Sequence, residues 1–154
     1  MTQEFRIYKP NKQGSGAASK FSTRADTKSK FHDQLLFVET SAQIGTDEND
    51  NDRFDWKTPE KSDVKSVTMK LGIADVGAIL ATIKGRQKEA KLFHQNQNGN
   101  TALTLNYYNG QLSWNISSQT GDKLVKLRHS ISLSEAVVLE ILLERFVLLQ
   151  YQWV

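Results

Sequence analysis

The sequence predicts an α+β domain with the element order ββββα-ββββα, and three observations carry that prediction. Short runs along most of the chain alternate apolar with polar residues, the period of two that marks half-buried strands. Between Ile73 and Lys84 the spacing changes to that of a helix, and after Ser132 an almost unbroken apolar run of helical length extends to Gln150.

Glu4 to Lys9 sets Phe5 and Ile7 against Arg6 and Tyr8, and Pro10 ends this first strand. Polar, glycine-bearing Asn11 to Gly16 is a loop; Ala17 to Arg24 forms a second strand and Gln34 to Ser41 a more fully buried third. Val64 to Leu71 is the fourth, with Val67, Met69 and Leu71 on one face. Ile73, Val76, Ile79, Leu80 and Ile83 then share one helical stripe, and Gly85 caps it. Four strands follow: Ala90 to Gln95, Thr101 to Tyr108, Gln111 to Gln119 after an Asn109-Gly110 hairpin turn, and Lys123 to Ser132. In the last of these Val125, Leu127, His129 and Ile131 share the inner face, where His129 is expected as a satisfied core residue, and Lys126 and Arg128 the outer.

A chain of 154 residues with 38% hydrophobic content fits a single domain, 1–154. Cysteine is absent, which excludes disulfides and thiolate metal sites, and the three histidines stand far apart without spaced acidic partners. No metal and no cofactor is therefore expected. The chain has no nucleotide-binding glycine loop with its lysine, no nucleophile elbow and no zinc-protease motif, so a non-enzymatic role is expected. Its start carries neither the apolar core of a secretory signal nor an Arg/Ser-rich transit stretch, which points to the cytoplasm.

Net charge is +3 and the isoelectric point about 9.1. The distribution says more than the total. Up to Phe31 the chain is rich in lysine and arginine, whereas Asp47, Glu48, Asp50, Asp52 and Asp55 crowd into one acidic stretch. That loop, about 45–53, is expected to be disordered, and without it the rest is distinctly basic, the balance of a protein with a polyanionic partner.

Ser132-Leu133-Ser134-Glu135 is a capping box, which starts the final helix. Apolar residues beyond it cover nearly the whole circumference, interrupted only by Glu140, Glu144, Arg145 and Gln150. Those charges leave too short an apolar stretch for a membrane span, which needs roughly 20 residues. Burial against sister subunits is the expectation, with Leu139, Leu142, Leu143, Phe146 and Leu149 as the interface, so that aspartate at Leu142 or at Phe146 is expected to give aggregated or unfolded protein.

Basic and aromatic residues interleave along the strands: Tyr8-Lys9, Lys20-Phe21, Phe54-Asp55-Trp56-Lys57, Lys91-Leu92-Phe93 and Tyr107-Tyr108. Single-stranded nucleic acid is bound by this combination, because unpaired bases stack on aromatic rings while lysine and arginine neutralise phosphates.

In order and spacing the chain resembles the Whirly family of single-stranded DNA-binding proteins over almost its whole length. Phe54-Asp55-Trp56-Lys57, the strand after it and Ile73-Ala74-Asp75-Val76-Gly77-Ala78-Ile79-Leu80 resemble the family's YDW tract, strand and first helix. Lys91-Leu92-Phe93-His94 resembles its aromatic-Phe-His strand. Ile131-Ser132-Leu133-Ser134-Glu135 and the apolar helix ending in Tyr151-Gln152-Trp153 resemble its last helix and aromatic end. The family's KGKAALSV signature is only partly present: Gly16-Ala17-Ala18-Ser19-Lys20-Phe21-Ser22 keeps the small residues and shifts the lysines.

The resemblance implies two four-stranded antiparallel sheets packed crosswise, a homotetramer assembled through the helices, and DNA lying along sheet edges. The missing transit stretch departs from the family's plant members, so a bacterial or phage relative is expected, cytoplasmic or nucleoid-associated, that serves replication, recombination or repair. Phosphate contacts are expected from Lys9, Lys12, Lys20, Arg24, Lys57, Lys65, Lys126 and Arg128, and base stacking from Phe21, Phe54, Trp56, Tyr107 and Tyr108. RNA binding by the same fold and a purely structural scaffold are the alternatives.

Overall fold

The computed structural model describes residues 3–28, 34–45 and 54–153. The acidic loop expected to be disordered falls almost wholly outside these residues, as do His32 and Phe31. Strands β1 (Gln3–Lys9), β2 (Ala17–Ala25), β3 (Gln34–Ala42) and β4 (Ser66–Leu71) form sheet one in that order, all antiparallel. Helix α1 (Ile73–Ile83) leads to β5 (Glu89–Asn96), β6 (Gly99–Tyr108), β7 (Gln111–Thr120) and β8 (Lys123–Ile131), which form sheet two. Helix α2 (Leu133–Gln150) follows. The predicted order ββββα-ββββα and the two four-stranded sheets are what the structure shows.

Two boundaries differ from the sequence reading for local reasons. β4 begins at Ser66 rather than Val64, because the Lys65 N–H is taken by the Asp55 carboxylate at 2.8 Å and the Lys65 carbonyl accepts from Ala42. β6 begins at Gly99 rather than Thr101 because the β5–β6 turn is tight, and a Cβ on Gly99 would stand 1.8 Å from the Gln119 carbonyl oxygen.

The sheets cross: β8 packs against each of β1, β2, β3 and β4. Their facing sides form the core, with Ile7, Phe21, Val38 and Met69 from sheet one and Leu103, Leu105, Trp114 and Ile116 from sheet two. So close a crossing demands small residues, which explains Ala17, Ala18 and Ser19, all almost fully buried where β2 passes the last strand. Gly16 is needed beside them, since a Cβ there would stand 2.2 Å from the Lys9 carbonyl oxygen.

In α1 the predicted stripe is inward at Val76, Ile79 and Ile83. The Asp75 carboxylate accepts the Gly72 N–H at 2.8 Å and pairs with His94 Nε2 at 2.9 Å, tying the helix start to β5. Helix α2 has the predicted capping box: Ser132 N–H donates to Glu135 at 2.9 Å and the Ser132 hydroxyl accepts the Glu135 N–H at 3.2 Å.

The expected assembly residues of α2 need correction. Leu139, Leu143 and Phe146 lie in the protomer's own core together with Ala136, because this spacing puts them on one stripe of the helix. Leu142 and Leu149 do face outward, and with Val137, Val138, Ile141 and Leu148 they make the outer side of the helix largely apolar around exposed Arg145. No helix among the described residues is long and apolar enough to cross a membrane.

Candidate nucleic-acid interface

The outer face of sheet two is set by strand register. One row across it reads Lys91, Thr104, Asn115, Arg128 and the next Phe93, Ala102, Ser117, Lys126. Each strand therefore contributes an outward side chain at every second position, cations at the two edge strands and small polar groups between. Thr104, Asn115, Ser117, Lys126 and Arg128 line a groove of about 430 Å³ on this face. Phe93 and Tyr108 stand out from it, 63% and 70% exposed. The one acidic side chain on these strands' outward positions is Glu89, at the edge, whose carboxylate lies 3.5 Å from Lys91.

At β8 this face runs into a second groove of about 200 Å³, where Lys65 joins Lys126 and Arg128 beside Gly14 to Ala17. Gln43 shapes that rim. Its Oε1 accepts the Asn11 and Gly16 N–H groups at 2.9 and 3.0 Å, and its Nε2 donates to the Asn11 and Gly45 carbonyls. Lys12 is exposed on the same turn. Lys9 is half-buried and committed to Glu135 at 2.6 Å. Burial alone would raise the Glu135 carboxyl, but Lys9 and the Ser132 amide and hydroxyl outweigh it and hold the group below its ordinary range.

A third cluster lies on the outer face of sheet one. The Trp56 ring sits 4.9 Å from Lys20 Nζ and 5.5 Å from the Arg6 guanidinium, a cation–π arrangement. Lys20 also approaches Glu39 at 3.5 Å, and Glu39 accepts the Lys57 N–H at 3.0 Å. Asp55 fixes the segment further, taking Lys61 on one oxygen and the Lys65 N–H on the other, each at 2.8 Å. Although burial would raise the Asp55 carboxyl, those two partners bring it below its ordinary value. Arg24 lies 4.1 Å over the Phe37 ring.

The predicted site residues thus divide. Lys65, Lys126, Arg128 and Tyr108 belong to the sheet-two surface and its rim; Lys20, Arg24 and Trp56 to sheet one; Lys57 is exposed in a cleft between the sheets. Two stacking residues are corrected. Phe21 is 4% exposed and packs edge-on to Trp114, and Phe54 is 6% exposed between Tyr8 and Trp56, so neither ring offers a free face in the protomer. Tyr107 is anchored, its hydroxyl donating to the Ile83 carbonyl at 2.6 Å. Arg6, Lys91, Phe93 and Asn115 were missing from the expected set. Strict alternation about buried Ala90 and Leu92 would have turned Lys91 and Phe93 outward.

Behind Arg128 a buried hydrogen-bond chain joins the sheets. Trp114 Nε1 donates to the Thr40 hydroxyl at 3.1 Å, the Thr40 and Ser19 hydroxyls meet at 2.7 Å, and Ser19 lies 2.5 Å from His129 Nε2. His129 Nδ1 lies 2.8 Å from the Ser130 carbonyl and must donate to it, which leaves Nε2 as an acceptor for the Ser19 hydroxyl. Every group is satisfied with the imidazole neutral. Burial lowers the His129 pKa below its ordinary 6.5, nearby Lys9 adding to the effect while the Ser130 carbonyl and Glu135 oppose it. The unfolded chain consequently takes up a proton before the folded one does, and stability falls as pH drops below about 6.5. Thermal unfolding followed from pH 7.5 to 5 should show that loss. His129→Gln should be less stable at pH 7.5 and lose less over the same interval; an equal loss in both proteins would remove His129 as its source.

No family model and no curated protein sequence matches the chain. Solved structures do. The plant transcriptional regulator PBF-2 superposes with a TM-score of 0.76 at 14% identity, over 99% of this chain and 84% of that one. For WHY3 from Arabidopsis thaliana the TM-score is 0.74 at 15% identity, covering 98% and 89%. A guideRNA-binding protein complex bound to a gRNA gives 0.68 at 14% identity, covering 99% and 92%. At such identities the likeness concerns architecture, and with two four-stranded sheets and both helices in the same order, the chain has the Whirly-like fold.

Proposed function

We propose that the chain is a non-catalytic, sequence-tolerant binder of single-stranded nucleic acid, with single-stranded DNA as its ligand and the homotetramer as its working form. The observation that carries this reading is the sheet-two outer face. There Lys91 stands on one edge strand and Lys126 and Arg128 on the other, hydroxyl and amide groups fill most of the centre, and Phe93 and Tyr108 offer exposed rings. Phosphates are held by the cations and bases stack on the rings, an arrangement that a duplex with its paired bases cannot use as well. Lys65, Lys126 and Arg128 supply the phosphate contacts, with Lys20, Arg24 and Trp56 of sheet one as a further basic and aromatic surface. The apolar outer face of α2 is covered by sister protomers. A cytoplasmic, nucleoid-associated role of a bacterial or phage protein in replication, recombination or repair is consistent with such binding.

RNA is the second reading, favoured by the shared fold of the gRNA-bound complex. Anisotropy titrations of labelled single-stranded DNA, the matched RNA and the matched duplex decide among these. Single-stranded DNA should bind tightest; a clear preference for RNA would transfer the proposal to the 2′-hydroxyl-bearing strand. Equal binding of single strand and duplex, or no binding at all, would overturn it.

A further inference from the structure

Between the end of sheet two and β4 lies a cleft of about 470 Å³ whose lining differs from that of the basic grooves. Asn96, Asn98 and Asn100 of the β5–β6 turn lie along it with Ser118, and Lys57 and Lys123 stand at its sides. Its volume falls within the roughly 300–1,000 Å³ of small-ligand sites. The turn is held in place: Asn96 Oδ1 accepts the Asn98 N–H at 2.9 Å, and Gly99 lets it close against the Gln119 carbonyl. Among the described residues, the Asn98 and Asn100 side-chain amides have no hydrogen-bond partner. Asn100 pairs in register with Gln119, one outward row beyond the Ala102–Ser117 row of the basic face. Thr101, Ser118 and Val125 of the adjacent inward row also line the cleft, so it opens at the end of sheet two, where Asn100 brings the outer row to its rim.

A side-chain amide presents a donor and an acceptor side by side, which matches the edge of a nucleobase; an ammonium donates only, and suits phosphate. We propose that this cleft takes one unstacked nucleobase, whose edge is read by Asn98 and Asn100, while Lys57 and Lys123 hold the flanking phosphates. It would impose a base preference at one position on an otherwise tolerant binder. Lys123 is near Asp63 at 3.5 Å, but Asp63 is wholly exposed, so water screens that pair and leaves the lysine able to exchange it for phosphate.

This inference rests on the single-strand reading above, and the experiment separates the two. Labelled homopolymers of dA, dC and dT of equal length are titrated against the full chain and against Asn98→Ala/Asn100→Ala. The unaltered protein should favour one base over another by about tenfold, and the variant should bring that ratio below about twofold while binding the weakest homopolymer as before. Lys57→Gln/Lys123→Gln should weaken all homopolymers alike and keep the ratio. Tight binding without discrimination by the unaltered protein, or discrimination that survives in the asparagine variant, overturns the base-reading cleft and leaves the binding function standing. Failure to bind any homopolymer or other single strand overturns both.

Discussion

Replacing Lys126 and Arg128 together with alanine should lower the affinity for a single strand roughly tenfold to a hundredfold at low salt. Both side chains are exposed on β8, so the thermal midpoint should hardly move, as surface substitutions change stability by about 0.5 kcal/mol or less. The salt dependence is the sharper readout. Each phosphate neutralised on a single strand contributes about −0.7 to the slope of log K against log salt, so losing two contacts makes the slope shallower by about 1.4. Arg86→Ala, on the turn after α1 and outside the basic clusters described above, serves as the control and should leave slope and affinity unchanged. An unaltered slope in the double variant would move the strand away from β8, and the Arg6–Lys20–Trp56 cluster on sheet one would be the surface to test next.

The second large effect separates the two faces of α2. Phe146→Ala empties a core position and should cost roughly 3–5 kcal/mol, a large part of the ~5–15 kcal/mol that holds a domain folded. Leu142, 44% exposed, lies on the outward side of the same helix. Leu142→Asp should leave the protomer folded while lowering the assembled mass, since a carboxylate buried between protomers without a partner is costly. Circular dichroism during heating and light scattering measure the two quantities independently. If Leu142→Asp keeps the mass of the unaltered protein, the outer face of α2 is not where protomers meet. The sequence reading expected the same outcome at both positions; the structure divides them.

That division shows what was legible beforehand. Period and punctuation were enough for strands and helices, because a face that must be buried imposes its spacing on the chain: Val125, Leu127, His129 and Ile131 were assigned inward and are inward. Helix α2 lacked that contrast. With apolar residues almost all round, its sequence could not say which stripe faces its own core, and only the packed fold selects Ala136, Leu139, Leu143 and Phe146. The site was harder, since basic–aromatic neighbours in sequence point to opposite faces of a strand. Lys20 and Phe21 were read as a pair, yet the pleat sends Lys20 out to Trp56 and Phe21 into the core. Lys9 looked free for phosphate, and the residue that occupies it, Glu135, lies far along the chain.

The hydrogen-bond chain behind β8 sets one indole of the protein apart from the other two. Trp114 is wholly enclosed with its N–H given to Thr40, so its emission follows the integrity of the crossing between the sheets and should be indifferent to a strand bound outside. Trp56, among the cations of sheet one, senses whatever displaces or neutralises Arg6 and Lys20. Trp153, 80% exposed beyond α2, senses what gathers around the helix end. The three tryptophans of the chain are therefore three optical channels, for folding, for ligand and for assembly. Proteins keeping one indole at a time would let a single cuvette distinguish a chain that has bound from one that has merely come apart.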